Sequence, residues 1–131
     1  MRRNRRNRVR ATEAFRRWAR AGCPGPDKIE AQGGKGQARI DLMACAVVFA
    51  MLADGTHGRK NEPEGAEIME AVRTVYMAEP WKDLQKAQIS GRVTYFAMSH
   101  YVSERTVYYW LGKARAMWWR ARQARSGESL Q

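Results

Sequence analysis

The chain has 131 residues, 44% of them hydrophobic, with a net charge of +11 and a pI near 10.4. That length suits one core with at most an appended arm, and two cysteines without framework spacing exclude a disulfide scaffold, so a cytoplasmic, reducing setting is expected. The charge is polarised: residues 1–22 hold nine arginines and one glutamate, residues 23–81 six basic and nine acidic residues, and residues 82–125 nine basic and two acidic residues. Two basic blocks around a mildly acidic middle favour a polyanionic partner, nucleic acid before others. The longest apolar run, Leu42 to Ala53, has twelve residues. A bilayer span needs about 20, and no apolar segment follows the first arginines as in a signal peptide. No membrane partner is expected.

Residues 1–22 form an arginine-rich arm or helix. Ala11, Ala14, Phe15, Trp18 and Ala19 follow helical spacing, and Gly22 is a plausible stop. The first eight residues carry so much charge that they are expected to fray without a partner. Residues 23–38, "CPGPDKIEAQGGKGQA", read as a linker broken by prolines and glycines. "GGKGQ" lacks the Ser or Thr and the earlier glycine of a phosphate-binding loop.

Residues 39–125 are expected to form the helical domain, followed by a tail at 126–131. Within it, 40–53 predicts a helix apolar nearly all round, which suits a buried central helix or a subunit interface for a homo-oligomer. Asn61 is a candidate cap for the next helix, with Pro63 in its first turn. Glu62, Glu64, Glu67 and Glu70 gather at that helix's start, where its dipole favours them, and Ile68, Val72, Val75 and Tyr76 make its apolar stripe. These carboxylates have no His or Cys beside them and read as a solvated first turn, not a metal site. Residues 79–87 predict a loop.

Residues 88–115 carry the functional expectation. A helix-turn-helix needs a small residue where two helices approach, a tight turn, an N-cap and buried aliphatics on the second helix. Ala97 supplies the first, Val102 plugs the turn, Ser103 caps, and Val107, Leu111 and Ala114 recur at the helical period, with Val93 and Phe96 facing them. Trp118 continues this inward stripe, and Trp119 is expected on a neighbouring helix or a partner subunit. The stretch "VSERTVYYWLGKAR" resembles the second half of the helix-turn-helix in sigma factor region 4. The wider segment from Ala71 to Arg115 resembles small phage-encoded transcriptional regulators of the RinA/ArpU type. The elements read along the chain make an all-α fold of four to five helices with a C-terminal helix-turn-helix and a basic N-terminal arm. The resemblance, which does not extend to residues 1–38, implies a transcriptional regulator that binds double-stranded DNA and meets RNA polymerase. One departure is Tyr101, where many such turns carry a glycine in the left-handed conformation. It reads as a changed turn.

With 107, 111 and 114 inward, Glu104, Arg105, Tyr108, Tyr109, Gly112 and Lys113 face outward. Arg105 suits a guanine edge and Glu104 a cytosine amino group or Arg105 itself. Thr106 is placed for a phosphate or a thymine methyl, Ser103 at the cap, and Arg92, Lys113 and Arg115 for phosphates. The two tyrosines either contact DNA or pack on the acidic helices. In the arm, Arg2, Arg3, Arg5, Arg6, Arg8 and Arg10 suit phosphates, a minor groove or an RNA groove. Two alternatives stay open: an RNA-binding antitermination protein acting through the arm, and a small terminase-like DNA-packaging subunit that oligomerises through 40–53. His57 and His100 join no catalytic or metal-ligand grouping, so neither enzymatic activity nor a cofactor is expected.

Overall fold

The computed structural model describes residues 2–32, 36–55 and 65–129, with side chains for 8–32, 36–55 and 65–124. The fold is all-α. Six α-helices occur among the described residues: α1 Arg2–Arg20, α2 Pro26–Ala31, α3 Gln37–Asp54, α4 Gly65–Val72, α5 Lys86–His100 and α6 Glu104–Ser129. A π-helical turn, Arg73–Met77, continues α4. Among the described residues no helix is long and apolar enough to cross a membrane. The candidate cap Asn61, the neighbouring Pro63, Glu62, Glu64 and His57, and part of the glycine-rich "GGKGQ" lie outside the described residues.

The centre is α3. Met43, Ala44, Cys45, Ala46, Val48, Phe49 and Leu52 are all buried, against α1, α2, α4 and α6. The helix ends at Gly55, whose left-handed φ of 74° closes the last turn. Of the two roles open for 40–53, the large side chains serve the central one, and α3 leaves Ala50 and Ala53 exposed.

Helix α1 is built into the domain. Ala11, Ala14, Phe15 and Trp18 are buried, and Phe49 packs between the Phe15 and Trp18 rings at centroid distances of 6.0 and 4.7 Å. The helix runs back to Arg2, where the sequence suggested fraying. Arginine is a good helix former, and the anchored turn at 11–18 supplies the nucleus from which further turns propagate. At the other end Gly22 (φ 86°) and Cys23 (φ 54°) turn left-handed. The Cys23 amide bonds to the Trp18 carbonyl (2.9 Å) and the Gly22 amide to that of Ala19 (3.0 Å), the pairing of a Schellman motif.

Two boundaries differ from the sequence reading. Residues 26–31, read as linker, form α2, because Pro26 stands in the first turn where its missing N–H is no loss, and Ile29 is buried. Residues 126–129, read as tail, continue α6. The added short helix accounts for a count above four to five.

The expected stripe on α4 is buried at Ile68, Val72, Val75 and Tyr76. Beyond it two cations of α1 donate to the carbonyls of the π turn and the loop after it. Arg16 of α1 is only 3% exposed. It donates to the carbonyls of Tyr76 (2.6 Å) and Glu79 (3.1 Å) and to that of Lys82. Arg20 donates to the Pro80 carbonyl at 2.6 Å. Helix ends leave carbonyls without partners, and buried ones need a donor. Burial, and then the nearby Arg92, lowers the Arg16 pKa from its usual value.

Candidate nucleic-acid interface

Helix α5 opens with a capping box in which Gln85 and Gln88 exchange side-chain to backbone bonds. Val93, Phe96 and Ala97 face inward and are buried. The helix stops at Tyr101, with φ 56° and ψ 41°. The left-handed turn is therefore kept at a tyrosine, contrary to the expectation of a changed turn. The amides of Tyr101 and Val102 both reach the Ala97 carbonyl, the latter at 3.0 Å, so closing the helix requires that conformation. The Tyr101 side chain is 96% exposed and escapes further crowding. Val102 packs on the core as expected. His100 stacks on Phe96 at 3.8 Å, and its Nδ1 lies 3.1 Å from the Phe96 carbonyl.

Ser103 caps α6. Its Oγ accepts from the Thr106 amide at 3.1 Å and lies 2.9 Å from the Thr106 hydroxyl, and its carbonyl accepts from the Val107 amide. One face of α6 is core: Val107, Leu111, Ala114 and Trp118 are essentially inaccessible, and Trp110 packs edge-on against Phe96. The opposite face of its first two turns is open. Arg105 is exposed and has no hydrogen-bond or ion-pair partner among the described residues. Tyr108 and Tyr109 are 45% and 59% exposed, so neither is packed away under the acidic helices. Half-buried Gly112 and Lys113 border this face, the Lys113 ammonium 6.0 Å from the centre of the Tyr109 ring.

The remaining expected residues divide. Glu104 is exposed but accepts from the Thr94 hydroxyl at 2.6 Å, which ties the first turn of α6 to α5 and not to Arg105. Arg92 is turned inward: it donates to the Val75 carbonyl at 2.9 Å and lies 4.0 Å from Glu79, with 19% of its side chain exposed. It caps the π turn, a position that does not present it to a phosphate. Arg115 donates to the Tyr76 phenol oxygen. Arg8 is exposed, whereas Arg10 is 3.5 Å from Asp41 and lies over the Trp119 ring. The side chains of Arg2, Arg3, Arg5 and Arg6 lie outside the described residues.

The Asp41 cluster was not foreseen. This buried carboxylate of α3 accepts from Arg122 at 2.7 Å, and its backbone carbonyl accepts from the Trp118 indole at 3.1 Å. Trp119 lies edge-on to Trp118 with Arg10 and Arg122 over its ring, so it rests within its own chain. Only the odd polar residue in an apolar run pointed to Asp41, and Arg16 looked like any other arginine of the arm. Among the described residues no group of three or more His, Cys, Asp or Glu side chains could hold a metal ion.

The fold and site define a small all-α domain with a capped second helix that buries one face and opens the other. Comparison with known protein families, curated proteins and solved structures finds no match.

Proposed function

We propose that the protein is a sequence-specific double-stranded DNA-binding regulator of transcription, acting in the cytoplasm of a bacterial host and of the phage type that residues 71–115 resemble. The observation that carries this reading is the split α6. Arg105, Tyr108 and Tyr109 stand on its open face, while the other face is fixed in the core. A rigid helix with an arginine that has no carboxylate partner among the described residues is suited to enter a major groove and to meet a guanine edge in bidentate fashion. Affinity comes from neutralising phosphates and falls steeply with salt. Contact with RNA polymerase follows from the resemblance alone.

The test is selection of binding sites from random duplex DNA at two salt concentrations, followed by Arg105→Ala. The variant is expected to weaken binding to the selected site by about 1–3 kcal/mol and to relax one base position. Unchanged binding by a folded Arg105→Ala protein would mean that α6 is not the reader. The RNA reading is separated by removing residues 1–7 and comparing duplex DNA with hairpin RNA. The cut stops short of Arg10 because that residue supports Asp41.

A further inference from the structure

A cleft of about 460 Å³ separates α1 from α5 and α6, and Tyr108 of the open face forms part of its wall. Four cations line it, Arg8, Arg16, Lys86 and Arg115, against one carboxylate, Glu13. That carboxylate is already engaged by Arg20 at 3.1 Å and Arg17 at 3.9 Å. Arg16 and Arg115 are bonded to neutral acceptors, backbone carbonyls and the Tyr76 phenol. Arg8 and Lys86 are exposed and have no carboxylate partner among the described residues. The cleft lining therefore carries an excess of positive charge over its one carboxylate. Its remaining walls include the apolar side chains of Val9, Leu84 and Ile89.

We propose that this cleft seats a phosphodiester of the bound duplex, with the apolar wall against the adjoining deoxyribose. The inference rests on the reading of α6 as a DNA-contacting helix and extends it. The strand flanking the groove is gripped between α1 and α5, so α1 belongs to the DNA-binding surface from Arg8 onward. Phosphate and sugar contacts of this kind set register without reading sequence. Lys86 and Arg8 supply the charge, and Tyr108 links the seat to the reading face.

The test uses the full chain and the selected duplex, with single backbone phosphates replaced in turn by neutral methylphosphonates. In the unaltered protein, one position beside the groove is expected to weaken binding by about fivefold to tenfold, on the order of one phosphate contact. Lys86→Gln and Arg8→Gln, both at exposed positions, are each expected to shrink that position's effect, and the double variant to remove most of it, as coupling between contacting groups predicts. Each should also lower the slope of log affinity against log salt by about one, equally on selected and random DNA. Circular dichroism confirms that the variants are folded. If Arg105→Ala loses the selected site while neither charge variant alters the methylphosphonate profile or the salt slope, the seat is overturned and the reading of α6 stands. If the unaltered protein binds no duplex, both fall. Cleft resonances that shift with a mononucleotide, without duplex binding, would assign the cleft to a small anion and overturn the seat as well.

Discussion

Tyr101 shows how one residue carries a conformational cost for a turn. A residue with a Cβ in the left-handed region is less stable there by about 1 kcal/mol or more, and glycine has no such penalty. The side chain is exposed and the geometry is fixed by two amides on the Ala97 carbonyl. Tyr101→Gly is therefore expected to raise stability by about 0.5–1 kcal/mol in denaturant melts, the entropy of a more flexible unfolded chain taking part of the gain. Lower stability would mean that the exposed ring makes a contact of its own. Cys45 offers a second residue-scale prediction. Burial pushes its thiol pKa well above the usual range. The folded state holds the proton more tightly, so the contribution is fully present below the unfolded pKa of about 8.5 and declines above it, by up to about 1.4 kcal/mol per pH unit. Cys45→Ala should destabilise the protein at pH 7, and that penalty should shrink as pH rises from 8.5 to 10. A penalty independent of pH would place the thiol in contact with water.

At the scale of elements, α6 is legible and α1 only partly so. The cap at Ser103 and the spacing of Val107, Leu111, Ala114 and Trp118 follow from periodicity, because a helix in contact with one core must repeat its apolar side every 3.6 residues. Ser103→Ala removes the acceptor for the Thr106 amide. It is expected to cost about 0.5–2 kcal/mol of stability, and to increase amide exchange first in residues 104–107. Exchange unchanged there would show that water serves the amide equally well. Helix α2 was hidden because Pro26 reads as a breaker unless it begins the helix, and six residues are too few for a period to show. The π turn was hidden for a similar reason: its register slips by one residue inside an otherwise regular apolar stripe.

Across the whole molecule, arginines hold distant elements together. Arg16 and Arg20 tie α1 to the loop at 78–82, and Asp41 gathers Arg10 from α1 and Arg122 from α6. Removing one member of a buried charged set leaves its partners unpaired, which costs more than the set contributes. Asp41→Ala is therefore expected to lower unfolding free energy by about 3 kcal/mol and to loosen both ends of the domain. Chemical denaturation with Trp fluorescence would follow it directly, since Trp118 and Trp119 adjoin the cluster. A loss below about 0.5 kcal/mol, the range of ordinary surface changes, would show that Arg10 and Arg122 find other partners or water once the carboxylate is gone.

The sequence by itself determined the class of fold, the inward stripes, the cap and the polarity of charge. All of these are local or periodic properties, and a helix repeats them along its own axis. It did not determine which of the many arginines are available to a partner. Arg16, Arg92 and Arg105 are chemically the same, and composition assigns them all to a basic surface. Only tertiary structure separated them: Arg16 and Arg92 are drawn inward by carbonyls that the π turn and the following loop leave without donors, while Arg105 has no such partner among the described residues. The physical reason is that a buried carbonyl must find a donor, and which side chain provides it depends on residues brought together from sixty positions apart in the chain.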